Sequence, residues 1–112
     1  MRAVVFACAV SGIPAWQKAG DCPGVECQEI PCAGGLDGLQ VLEAFLAGAE
    51  RVFVLACHPG ACRSHLGTET VRQRVAYLQT ELQAAGLDGG RLVLAHVSPD
   101  AGQRVRRILS GG

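Results

Sequence analysis

Aromatic residues are scarce in this chain, with one Trp, one Tyr and three Phe among 112 residues. A core short of rings has to be filled with Ala, Val, Leu and Ile, and a hydrophobic content of 49% provides them. Charge of a single sign is also missing. Ten Lys and Arg balance ten Asp and Glu, so no net field gathers phosphate backbones or anionic headgroups, and nucleic acid is not an expected partner. The one basic bias, Arg104, Arg106 and Arg107, suits the C-terminal end of a helix, where the macrodipole favours cations. No apolar run approaches the ~20 residues that cross a bilayer, so no membrane insertion is expected. The apolar stretch after Arg2 is too short for a secretory signal and reads as a strand.

What the chain has in quantity is cysteine, at positions 8, 22, 27, 32, 57 and 62. A single domain over residues 1–112 can bury roughly two thirds of its unfolded surface, so the thiols are not needed to staple a core-poor scaffold. Metal binding or redox work in a reducing cytoplasm is the expected use.

The order of elements follows from hydrophobic pattern. Ala3 to Val10 is a continuous apolar run of the kind found in buried parallel strands. It ends at Ser11-Gly12, after which Ile13, Ala15 and Trp16 suggest a short helix. A second strand is expected from Val25 to Pro31. Leu39, Leu42, Phe45, Leu46 and Ala49 recur at helical spacing within 36–49, with Gly48 available as terminator. Arg51 to Ala56 is another buried strand. Val71, Val75, Leu78, Leu82 and Ala85 define a helix over 68–85, closed by Gly86. Arg91 to Val97 is the last strand, and Ser98-Pro99-Asp100 offers a cap and an N-terminal proline for a helix through Leu109. This βα alternation predicts an α/β fold, a small open parallel sheet of about four strands with helices on both faces, Rossmann-like or flavodoxin-like.

On that frame Cys8 lies toward the end of the first strand, Cys32 just past the second, Cys57 just past the third, and Cys62 in the loop that follows. The carboxyl ends of the strands in an open α/β sheet form a ligand crevice, and there thiolates distant in sequence can converge. Four of them suit a 2Fe-2S cluster, a 4Fe-4S cluster or structural zinc. Cys8 and Cys27 taken singly also fit the role of small buried hydrophobes, and Cys22 reads as incidental. A different chemistry fits one segment: Cys57 to Ser64 reads C-H-P-G-A-C-R-S, the C-x5-R-S formula of cysteine phosphatases and some arsenate reductases. Cys57 would be the nucleophile there and Arg63 the oxyanion clamp.

Three cysteine segments taken in order resemble the delta, or iron-sulfur, subunit of methyl-viologen-reducing nickel-iron hydrogenase. They are Phe6-Ala7-Cys8 with Ser11, then Cys32-Ala33-Gly34-Gly35, then Ala56 through Ser64. Ala44-Phe45, Gly48-Ala49, Val52 to Val54, Gly67-Thr68, Arg72 and Arg74 extend the resemblance over nearly the whole chain. It implies a 2Fe-2S cluster held by Cys8, Cys32, Cys57 and Cys62. That cluster would relay single electrons between a hydrogenase or dehydrogenase module and the flavin subunit of a heterodisulfide reductase-like complex, with no substrate chemistry of its own. Ser11 stands where the family has a second cysteine in its first motif, and Ala61 and Ser64 replace an Asp and a Tyr. Cys27 is then a candidate substitute ligand, while Ser11 and His58 are expected to hydrogen-bond around the cluster rather than ligate it.

Overall fold

The computed structural model describes residues 2–9, 11–20, 24–30, 38–56, 67–86 and 89–109, with the side chains of 67–71 excepted. Strand β1, Ala3–Cys8, is buried at every position. It pairs in parallel with β2, Val25–Ile30, on one side and with β3, Arg51–Ala56, on the other, and β3 pairs with β4, Leu92–His96. The sheet order is β2-β1-β3-β4. Position and composition agree: the inner strands β1 and β3 are apolar along nearly their full length, whereas β2, at an edge, exposes Glu26, Gln28 and Glu29. Charged side chains on an edge strand discourage pairing with another chain.

The helices are α1, Gly12–Ala19; α2, Gly38–Leu46; α3, Gly67–Ala84; and α4, Gly102–Leu109. Alternate residues of β1 serve two separate cores. Val4, Phe6 and Cys8 join Val52, Val54 and Ala56 of β3 beneath Val41 and Ala44 of α2 and Val75, Leu78 and Leu82 of α3. Ala3, Val5 and Ala7 join Phe53 and Leu55 beneath Ala15 and Ala19 of α1 and Val105 and Leu109 of α4. The α/β expectation of a small parallel sheet covered on both faces is met. The chain steps from β1 to β2 in one direction and then passes back over β1 to β3. That reversal makes the carboxyl ends of β1 and β3 the topological switch point, where open α/β sheets form their crevice.

Two expectations need correction. Of the apolar set expected for α2, Phe45 and Ala49 reach the core, but Leu39, Leu42 and Leu46 are 59%, 41% and 86% exposed, and Val41 and Ala44 take the buried face instead. The helix is apolar on most sides, so its periodicity could not select a face, and the smaller residues admit the closer approach to the strands. Helix α4 starts at Gly102 rather than at Pro99. The Ser98 hydroxyl donates to the Asp100 carboxylate at 2.9 Å, and the Ala101 N–H donates to the Ser98 carbonyl at 3.1 Å. These bonds form a separate turn before the helix. Gly48 and Gly86 end α2 and α3 as expected, with φ of 105° and 87°.

Candidate functional site

The carboxyl end of β1 carries the one predicted ligand within the described residues. Cys8 is the last residue of the strand, 2% exposed, and lies in the α2/α3 core. In register it pairs with Ile30, the last residue of β2, and the Ala9 N–H continues the ladder to the Ile30 carbonyl at 2.9 Å. On the other side the neighbouring pair is Ala7 with Leu55. The ends of β1, β2 and β3 are therefore level at one edge of the sheet.

Beyond Cys8 the chain turns within three residues into α1, and this turn is shaped by the thiol. The Gly12 N–H, at the start of α1, donates to Cys8 Sγ at 3.3 Å in a buried setting. Pro14 sits in the first helical turn, where its missing N–H costs no intrahelical bond. Ser11 occupies the cap position with φ −121°, yet its side chain makes no capping bond. Its carbonyl accepts the Ala15 N–H at 3.1 Å. The Ser11 side chain is 3% exposed, and among the described residues its hydroxyl has no hydrogen-bond partner. A buried hydroxyl left in that state costs about 1–3 kcal/mol. Such a group calls for a reason within the site.

Cys27, the substitute candidate, is held elsewhere. It lies in the middle of β2, paired with Val5, and packs against the core under α1 and α4. Cys8 belongs to the opposite face and to the strand end. Burial, followed by the nearby Glu29 carboxylate, pushes the Cys27 thiol up to about 11 from 9.0. A thiol so biased toward its protonated form is a poor nucleophile at neutral pH. Mid-strand and on the opposite face of the sheet, Cys27 does not converge with Cys8. Among the described residues neither Cys8 nor Cys27 is in a disulfide.

Cys22, Cys32, Cys57, His58, Cys62 and Arg63 lie outside the described residues, as does the whole C-x5-R segment. Among the described residues no three His, Cys, Asp or Glu side chains group together to hold a metal. A groove between α3 and β4, lined by Arg72, Val75, Gln79, Leu92 and Leu94, is remote from Cys8 in the strand order and carries no thiol. No described helix is long and apolar enough to cross a membrane.

What reading the sequence missed is Gly12. Taken as a turn residue, it is also the donor to Cys8 Sγ. Its position four residues after the cysteine, at a strand-to-helix junction, was the available signal.

Over residues 3–111 the chain matches the family described as methyl-viologen-reducing hydrogenase, delta subunit. It is similar to the vhc iron-sulfur subunit of the F420-non-reducing hydrogenase of Methanococcus voltae, 29% identical over 82 residues, covering 73% of this chain and 57% of that protein. The corresponding vhu iron-sulfur subunit of Methanococcus maripaludis is 35% identical over 75 residues, 66% of this chain and 56% of that protein. The iron-sulfur subunit of an F420-non-reducing hydrogenase from Archaeoglobus profundus is 27% identical over 88 residues, 79% of this chain and 64% of that protein. The matched stretch thus spans little more than half the length of the first two relatives.

Proposed function

The chain belongs to the delta-subunit family of methyl-viologen-reducing hydrogenase, and from that premise we propose that it is an electron-transfer subunit holding a 2Fe-2S cluster through Cys8, Cys32, Cys57 and Cys62. Its place is between a hydrogenase or dehydrogenase module and a heterodisulfide reductase-like flavoprotein subunit. Held by these four thiolates, the cluster would supply one-electron transfer, with no bond made or broken in the protein.

The observation that carries this reading is the buried Cys8 sulfur at the switch point, receiving the Gly12 amide. Backbone N–H groups aimed at sulfur are what an iron-bound thiolate needs, because they balance charge in a site that excludes water. The orphan Ser11 hydroxyl in the same turn fits the group as well, since cluster sulfur is an acceptor. Sequence distance supports Cys57 and Cys32. Cys57 follows Ala56 directly, and Cys32 is two residues beyond Ile30, a reach of at most ~7 Å. The relatives' names call them iron-sulfur subunits. A cluster supplies one-electron redox chemistry; the chain supplies thiolates, hydrogen bonds and a dry setting that adjust its potential.

Anaerobic purification of the chain together with its complex, followed by visible absorption and by iron and sulfide analysis, tests the reading. Two irons and two sulfides per chain are expected. Colourless, iron-free protein from an assembled complex would overturn it.

A further inference from the structure

The turn between β1 and α1 holds two polar groups in a setting sealed from water. One of them, the Gly12 N–H, is spent on Cys8 Sγ. The other, the hydroxyl of Ser11, belongs to a residue 3% exposed, makes no capping bond and has no partner among the described residues. Serine at a cap position ordinarily accepts from an N–H of the first turn, a bond whose loss costs about 1 kcal/mol. Forgoing it in a buried place leaves the hydroxyl proton available for an acceptor that the described residues do not supply. The site's ligand chemistry names that acceptor: electron-rich sulfur joined to Cys8 through iron.

Building on the cluster reading above, we infer that Ser11 donates its hydroxyl hydrogen to a sulfur of the Cys8-anchored cluster and so serves as a positioning and potential-setting residue. It does not act as a ligand in place of a cysteine. A neutral hydroxyl keeps its proton at neutral pH and can offer that proton to sulfur while its oxygen stays off the metal. The bond strengthens as sulfur gains negative charge, so it stabilises the reduced cluster more than the oxidised one and raises the potential. Reduction adds one electron to the cluster, and the proton remains on Ser11 Oγ throughout. Together with the Gly12 amide, the turn then supplies two donors, one from backbone and one from a side chain.

The test is Ser11→Ala in the full chain, assembled anaerobically with its complex, beside the unaltered protein. Three quantities are read: iron content, the one-electron midpoint potential, and the exchangeable-proton couplings of the reduced, paramagnetic cluster before and after transfer to deuterated buffer. Expected are unchanged iron, a reduction equilibrium roughly tenfold less favourable, equivalent to a midpoint about 59 mV lower, and the loss of one exchangeable-proton coupling. Unchanged potential and couplings at full iron content would overturn the role of Ser11 and leave the cluster reading standing. Loss of iron from the variant alone would make Ser11 a ligand and also overturn the donor role. An iron-free parent protein would overturn the cluster reading itself, and this inference with it.

Discussion

Gly12 is pressed against Leu55: a Cβ built on its backbone would stand 2.7 Å from the Leu55 carbonyl oxygen, and 3.0 Å from Cα and Cβ of Ala7. The start of α1 therefore lies in contact with both inner strands, and this closeness brings the Gly12 amide to Cys8 Sγ. Gly12→Ala forces the helix start to lift. A loss of about 1–3 kcal/mol is expected from such overpacking. In urea unfolding the midpoint should fall while the slope is retained; an unmoved midpoint would contradict the close approach.

The two faces of α2 make a second test. Val41 is fully buried and Leu46 is 86% exposed, although leucine is the more hydrophobic residue. Val41→Ala should cost about 2 kcal/mol through lost transfer energy and a residual cavity. Leu46→Gln should stay within about 0.5 kcal/mol of the parent. Denaturation curves giving the reverse order would mean that the leucine stripe faces the sheet after all.

These cases mark where the sequence is readable. β3 is expected over Arg51–Ala56 and is found there, because a valine-rich run bounded by polar residues has one interpretation. α3 falls within a residue of its expected bounds, since Val75, Leu78 and Leu82 stand out from a polar surround. α2 has apolar residues on several sides, so its existence is legible and its orientation is not. Cys8 can be placed at a strand end from pattern alone. That Cys27 belongs to the other face depends on its register with Val5, which no local pattern encodes. The burial of Ser11 depends likewise on how closely α1 sits on β1 and β3.

Cys27 should show a distinct response to pH. Its thiol is raised to about 11, chiefly by burial and then by Glu29. Below pH 9 the group is protonated in folded and unfolded chains alike, and the benefit of burying it neutral is fully present. Between about 9 and 11 the unfolded chain releases this proton while the folded chain keeps it, so stability declines across that window. The melting temperature of the parent relative to Cys27→Ala should therefore fall from pH 8.5 to 11. Iodoacetamide should also label Cys27 in the folded chain far more slowly than in the unfolded chain at pH 8. Equal labelling rates would show the thiol to be unshifted.

The ligand set makes a fourth prediction. Cys8→Ala, Cys32→Ala, Cys57→Ala and Cys62→Ala should each lower bound iron severely, whereas Cys27→Ala and Cys22→Ala should leave it near the parental level. Hydrolysis of an aryl phosphate by the parent, abolished by Cys57→Ser and untouched by Cys8→Ala, would instead favour the C-x5-R reading of that loop.

The central position of β1 bears on how the protein is made. It leaves the ribosome ahead of both strands that flank it, and its ladder with β3 cannot form until residues 51–56 have followed. Until then Cys8 has no finished sheet edge around it, and the Leu55 carbonyl against which Gly12 settles does not yet exist in the nascent chain. Iron delivered early would meet a loose thiol in an extended segment. Loading of the cluster proposed above would therefore follow closure of the inner strand pair rather than precede it.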